Sequence, residues 1–127
     1  MAAYQASDYI LVPVKPEYLS TIGLPLLKRS MEEFEDGPYG GHKIELAGVV
    51  FNHTSGYAPE EMKSKSEVRS IAAKYKWYVF EHEVTYSRSY PKGAREGQPI
   101  FRTTYSRGAQ AARFQAFAEE FAPRISL

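Results

Sequence analysis

The sequence predicts an α/β fold, a parallel sheet of about three strands flanked by helices. Three observations carry this. Short runs rich in β-branched and aromatic residues alternate with longer stretches whose apolar residues recur at helical spacing. One run, Ala47–Phe51, shows no polar alternation, the mark of a strand covered on both faces. Alternation of the two kinds of segment argues for parallel βαβ units with right-handed crossovers.

The elements follow in order. Residues 9–15 (YILVPVK) predict a strand, closed by Pro13 and Pro16, which cannot donate to a ladder. Ser20 or Thr21 caps the next helix, whose apolar positions are Leu19, Ile22, Leu26, Leu27, Met31 and Phe34. Pro25 is tolerated because it lies close to that helix's start. Residues 36–43 (DGPYGGHK) read as a loop, and 44–52 (IELAGVVFN) as the second strand. Pro59 fits the first turn of a helix whose inner face carries Val68, Ile71, Ala72 and Tyr75. Residues 77–84 (WYVFEHEV) predict the third strand. The stretch 85–105 is punctuated by Gly and Pro, with a helical turn near 91–96. The last helix follows Ser106, bears Phe114, Phe117, Ala118 and Phe121 on one stripe, and ends at Pro123. Three strands make a poor complete sheet, so the chain reads as part of a larger one. The strand at 9–15 is expected to expose an apolar edge that pairs with another chain.

Composition narrows the function classes. The chain has 127 residues, 43% hydrophobic and 24% charged, with a formal net charge of +1, a balance that fits one soluble domain and not whole-chain disorder. No apolar run approaches the ~20 residues of a bilayer span. The first residues lack the basic start and apolar core of a secretory signal, and a cytoplasmic location is the expectation. Cysteine is absent, which removes thiolate metal sites and Cys nucleophiles. Charge is unevenly spread. Residues 1–61 carry four Lys/Arg and nine Asp/Glu, net −5; residues 62–127 carry twelve and six, net +6. Residues 85–113 alone hold six bases and one acid, a cluster that could face phosphate or acidic lipid, or equally be a solvated basic face.

The chemical motifs are few. No GxxxxGK[ST] loop, GxSxG elbow or HExxH helix occurs. His42, His53 and His82 have no partner at metal-ligand spacing, and strand alternation would set Glu81 and Glu83 on the face opposite His82. No metal site is expected. Gly40–Gly41 reads as a turn, and the Asn52-His53-Thr54 sequon as coincidence. Two features remain. Asn52 closes the buried strand, where ligands of open α/β sheets sit, and its amide suits either a purine edge or a loop cap. The stretch Ser87–Arg102 interleaves basic residues with hydroxyls and aromatics, a composition suited to phosphate-backbone contact.

Four segments together resemble a known family. The string ASDYILVPVKPEYLSTIGL from Ala6 to Leu24 is similar to the segment after the Walker B strand of ParA-type partition ATPases. AGVVFN (47–52) resembles that family's next strand, YPKGAREGQPI (90–100) its AxxGxPI segment, and SRGA (106–109) with the following aromatic helix its C-terminal helix. The resemblance covers residues 3–122, nearly the whole chain. It implies the C-terminal half of a P-loop NTPase domain of the SIMIBI/ParA-like, deviant Walker type, with residues 1–127 as one partial domain lacking the Walker A and Walker B half. The family hydrolyses ATP with Mg²⁺ as an ATP-sandwich dimer, binds DNA nonspecifically and positions plasmids, chromosomes or other cargo. By this resemblance Asn52, Thr85 and Tyr86 fall on the adenine side. Val84-Thr85 stands where the family usually has Ile-Pro. Arg88 falls within a residue of a DNA-contacting position, and charge adds Lys92, Arg95, Arg102 and Arg107. Expected partners are nonspecific DNA, a second copy or a full-length homologue, and a partition adaptor, but no membrane. The implied location is cytoplasmic, at the nucleoid. Without the lysine loop and the metal-binding aspartates, no tight nucleotide binding and no hydrolysis by this chain alone are expected. A standalone DNA-binding module or a regulatory interaction protein is the alternative.

Overall fold

Strand and helix alternate as the periodicities require. In the computed structural model, which describes residues 2–37, 42–55, 58–102 and 108–126, the order is α1 (Ala2–Gln5), β1 (Tyr9–Val14), α2 (Tyr18–Glu35), β2 (Glu45–Thr54), α3 (Pro59–Tyr75), β3 (Val84–Thr85), α4 (Ser89–Glu96), a 3₁₀ turn (Ile100–Arg102) and α5 (Gly108–Arg124). The three strands form one parallel sheet in the order β1-β2-β3. No helix among the described residues is long and apolar enough to cross a membrane.

β2 is the centre. Its residues Ala47–Phe51 are all buried, so both faces of the sheet need a cover there. Val49 and Phe51 face α2 and α3, joining Val14, Leu24 and Val68 in one core cluster. Val50 points the other way, against Phe80 and against Phe117 of α5. A second cluster, Met31, Phe34 and Ile44, closes the amino-terminal end of the sheet. There Tyr4 of α1 packs its ring on Phe34 at 5.5 Å and donates its hydroxyl to Ser30 Oγ at 3.0 Å.

The register between β1 and β2 slips once. Ile10 pairs with Leu46 and Leu11 with Gly48, so Ala47 is passed over. The Ala47 carbonyl instead accepts from Arg124 Nε at 2.9 Å. Gly48 is required where it stands. Its φ is +156°, and a Cβ there would lie 2.4 Å from Cε2 of the fully buried Phe80.

Four expectations are corrected. First, α2 starts at Tyr18 with Glu17 as its cap residue, and neither Ser20 nor Thr21 caps it. Both hydroxyls bond backward, Ser20 to the Lys15 carbonyl and Thr21 to the Tyr18 carbonyl, so Pro25 lies two turns into the helix. Second, Leu19, Ile22 and Leu26 are exposed, while Leu24, Met31 and Phe34 are buried. The helix carries two apolar stripes, and spacing alone does not say which one meets the sheet. Third, the strand expected over 77–84 is broken. Val79 bridges Val49, with Val49 N–H donating to the Tyr78 carbonyl and Phe80 N–H to the Val49 carbonyl, and regular pairing resumes only at Val84. Fourth, α5 runs one residue past Pro123.

The break in the third strand has a cause. Glu120 of α5 accepts from the amides of Glu81 (2.9 Å) and His82 (3.0 Å) and contacts His82 Nδ1 at 2.7 Å. It also accepts the Tyr78 hydroxyl, whose ring lies under the Arg124 guanidinium at 4.3 Å. One carboxylate thus takes the place of the strand partner and clamps α5 to the sheet. Glu83 turns away to Lys65 Nζ at 2.8 Å. Residues 81 and 82 form a bend and not an alternating strand, and it is Glu83 that parts from His82, the one on Lys65 and the other on Glu120.

Titration of this clamp gives a sign. Burial would raise the Glu120 carboxyl, but the Tyr78 hydroxyl, the two amides and the His82 ring outweigh it and hold the pKa down at about 2. The same hydrogen bond, with burial, pushes Tyr78 up to about 12. A depressed carboxylate adds stability above its unfolded pKa of 4.5 that is lost as pH falls toward 2. Denaturant melts between pH 4.5 and 2 are therefore expected to show a steeper loss for the native chain than for Glu120→Gln. At neutral pH, Glu120→Ala is expected to cost about 1–3 kcal/mol through its orphaned donors; parallel pH profiles for native chain and variant would refute the clamp.

Candidate functional site

The carboxyl ends of β2 and β3 open on a groove of about 460 Å³. Leu11 and Pro13 of β1 and Val50 of β2 line its apolar floor, and Phe114 and Phe117 of α5 line one wall. Asn52, His53, Thr85 and Tyr86 line its rim. The three residues placed by resemblance on the adenine side, Asn52, Thr85 and Tyr86, thus share one groove.

A bulge builds the rim. Asn52 pairs with Val84 and Thr54 with Thr85, so His53 has no partner on β3. His53 takes a left-handed φ of 60°. The bulge breaks the two-residue alternation, and Asn52 and His53 are exposed side by side. Asn52 Oδ1 accepts the His53 amide at 2.9 Å. The loop-capping role of Asn52 is therefore present, at a residue that also lines the groove. The His53 ring meets Tyr86 edge-on at 4.7 Å between centroids. Tyr86 is held by its own amide, which donates to the Thr54 carbonyl at 3.0 Å.

Thr85 is tied to α5. Its hydroxyl donates to Gln110 Oε1 at 2.9 Å and accepts from Arg113 Nη1 at 3.3 Å. Tyr90 closes the far side, its ring 6.1 Å from Phe114, and burial raises the pKa of its hydroxyl. His53, Tyr90, Gln110 and Arg113 were not visible as site residues in the sequence. Gln110 and Arg113 stand one helical turn apart, but their partner is 25 and 28 residues away, and nothing local announces it.

The basic residues form a second, adjacent surface. Arg88 is the N-cap residue of α4, and Lys92 and Arg95 follow at four and seven positions, so the three share one helical stripe. All three are exposed, as is Arg102 at the end of the 3₁₀ turn. Lys92 and Arg95, with Pro91 and Glu96, line a shallow open depression. Arg107 lies outside the described residues. The three histidines are dispersed: His42 against the Ser7 carbonyl at 2.6 Å, His53 on the rim, His82 on Glu120. Among the described residues no group of three His, Asp or Glu side chains could hold a metal ion.

Comparison with known proteins gives the context. No family model matches the sequence. Over 114 residues the chain is 27% identical to the uncharacterized protein MJECL24 of Methanocaldococcus jannaschii, covering 90% of this chain and 42% of that protein. Over 122 residues it is 24% identical to the uncharacterized protein Rv1708 of Mycobacterium tuberculosis, covering 95% and 36%. Among solved structures, that of apo McdA from Cyanothece superposes with a TM-score of 0.74 at 15% identity, covering 94% of this chain and 46% of that one. The fold is ParA-like. It corresponds to the C-terminal half of such a domain, a three-stranded parallel sheet flanked by helices. The chain spans less than half the length of each of these proteins.

The bulge carries a prediction about the rim of the groove. A β-branched side chain resists the left-handed region far more than histidine does. His53→Val is expected to lower stability by about 1–2 kcal/mol, and His53→Gly to leave it unchanged or higher. Equal unfolding free energies for the two variants would rule out the left-handed backbone at this position.

Proposed function

We propose that this chain supplies the base-facing and DNA-facing parts of a ParA-like ATPase of the deviant Walker type, acting in DNA partition or cargo positioning. The observation that carries the reading is the convergence of Asn52, Thr85 and Tyr86 on one groove at the strand carboxyl ends, beside the basic stripe of α4. The groove's chemistry suits an adenine ring: an apolar floor, an aromatic edge at Tyr86 and an amide at Asn52. It does not suit a triphosphate. The groove-lining residues include no lysine or arginine, and no carboxylate to bind Mg²⁺. Base recognition belongs to this chain, and phosphoryl chemistry to residues it does not contain.

For nucleotide, weak binding confined to the base is expected. ATP and adenosine, titrated into labelled protein, should move the same amide signals around Asn52, Thr85 and Tyr86, with no turnover in the presence of Mg²⁺. Hydrolysis by the pure chain, or shifts that require the phosphates, would defeat this assignment.

DNA is the second ligand. Arg88, Lys92, Arg95 and Arg102 offer charge and donors with no base code, which predicts sequence-independent binding that weakens steeply with salt. Arg88→Glu with Arg102→Glu is expected to reduce affinity about tenfold and the salt slope by about two. An unchanged slope would make the stripe a solvated surface. DNA binding without any nucleotide response would favour the alternative, a standalone DNA-binding module.

A further inference from the structure

One residue joins the groove to the basic surface of α4. Pro91 lines the groove, and Pro91 also lines the depression that Lys92 and Arg95 share with Glu96. Pro91 is itself exposed, so the two are continuous over the surface. Their chemistry differs. The groove is apolar and aromatic: Tyr90, Phe114 and Phe117 line it, and no lysine, arginine or carboxylate does. Tyr86 stands on its rim, 55% exposed. Its contact with His53 is edge-on, with 76° between the ring planes. That contact uses one ring face of the pair, so stacking surface remains on a ring that is more than half exposed. The α4 side is cationic. Arg88, Lys92 and Arg95 are exposed, and at 1.5 Å per residue they span about 10 Å along the axis.

We propose that groove and stripe together bind a single strand of DNA, with one unpaired base stacked in the groove against Tyr86 and the adjoining phosphates laid along Arg88, Lys92 and Arg95. An aromatic platform beside a cationic track is the combination that holds single strands without a base code, since every base has a π face and every linkage a charge. A duplex cannot make both contacts, because its bases are paired and stacked inside. A free nucleoside reaches only the groove. A strand reaches both, across Pro91. Charge complementarity favours this occupant: residues 85–113 hold six bases against one acid, Glu96. The proposal rests on the base-facing reading of the groove and adds that the base arrives on a strand. It needs neither a triphosphate nor Mg²⁺. Three neutralised phosphates set the slope of log affinity against log salt at about −2.

Fluorescence anisotropy with a short labelled oligo(dA) strand, and with an abasic strand of equal length and charge, tests this, alongside a thermal melt of each variant. The native chain is expected to bind oligo(dA) about tenfold tighter than the abasic strand. Tyr86→Ala should bring oligo(dA) down to the abasic level, and Tyr86→Phe, which keeps the ring, should retain most of the difference. Arg95→Glu should weaken both strands alike and flatten their salt dependence. Equal affinity of the native chain for the two strands overturns the proposal. So does a base preference that survives in folded Tyr86→Ala. In either case adenosine shifts at Asn52 and Tyr86 would leave the nucleotide reading standing without the strand. A base preference that Tyr86→Ala abolishes, in a chain that gives no response to adenosine, upholds the strand and defeats the nucleotide reading.

Discussion

Everything in this fold follows from the burial of β2 on both faces. Five consecutive buried residues, Ala47–Phe51, cannot be accommodated by a single helical layer. α2 and α3 cover the Val49 and Phe51 side, and α5 covers the Val50 side. The second cover is harder to secure, because α5 arrives from the distant end of the chain and must be brought back over β2. The Glu120 carboxylate does this. It holds two backbone amides and the Tyr78 hydroxyl, and Arg124, one helical turn further, stacks on Tyr78 and reaches the Ala47 carbonyl freed by the slip in register. The polar clamp and the aromatic contacts of Phe117 with Phe80 act on the same helix. Together they set where Phe114, Gln110 and Arg113 stand at the groove.

Two local departures from regular strand geometry shape the groove. The slip at Ala47 lets Gly48 receive the Phe80 ring, which sets the third segment close against β2. The bulge at His53 turns the last residues of β2 outward, so that Asn52 and His53 emerge together and not on opposite faces. The irregularity lies at the carboxyl end of β2, where it lines the groove, while the regular part of the strand stays in the core.

Much of this was legible beforehand. The alternation of segments, the buried run at Ala47–Phe51 and Pro59 at a helix start are local signals, and each marks an element the structure contains. The grouping of Asn52, Thr85 and Tyr86 was legible only through resemblance, since no spacing links residue 52 to residues 85 and 86. What stayed hidden depends on contacts across the fold. The break in the third strand is imposed by Glu120, 38 and 39 residues away. The inner face of α2 is decided by which of two apolar stripes meets Val14 and Val49, a choice made by the sheet and not by the helix.

The same asymmetry bears on how the groove works. Its wall on the α5 side is built and clamped, but on the β1 side the floor ends at Leu11 and Pro13, at the edge of the sheet. Leu11 is 37% exposed and Tyr9 36%, so this face of β1 has no helix over it among the described residues. A planar base laid on Val50 and Pro13 would be covered on one side only, and half of its apolar surface would stay in water. At roughly 25 cal/mol per Å² that lost burial is the difference between a tight site and a weak one. On the proposed reading, a base in this groove would be held weakly by these residues alone, and Asn52, Thr85 and Tyr86 would orient it more than they hold it.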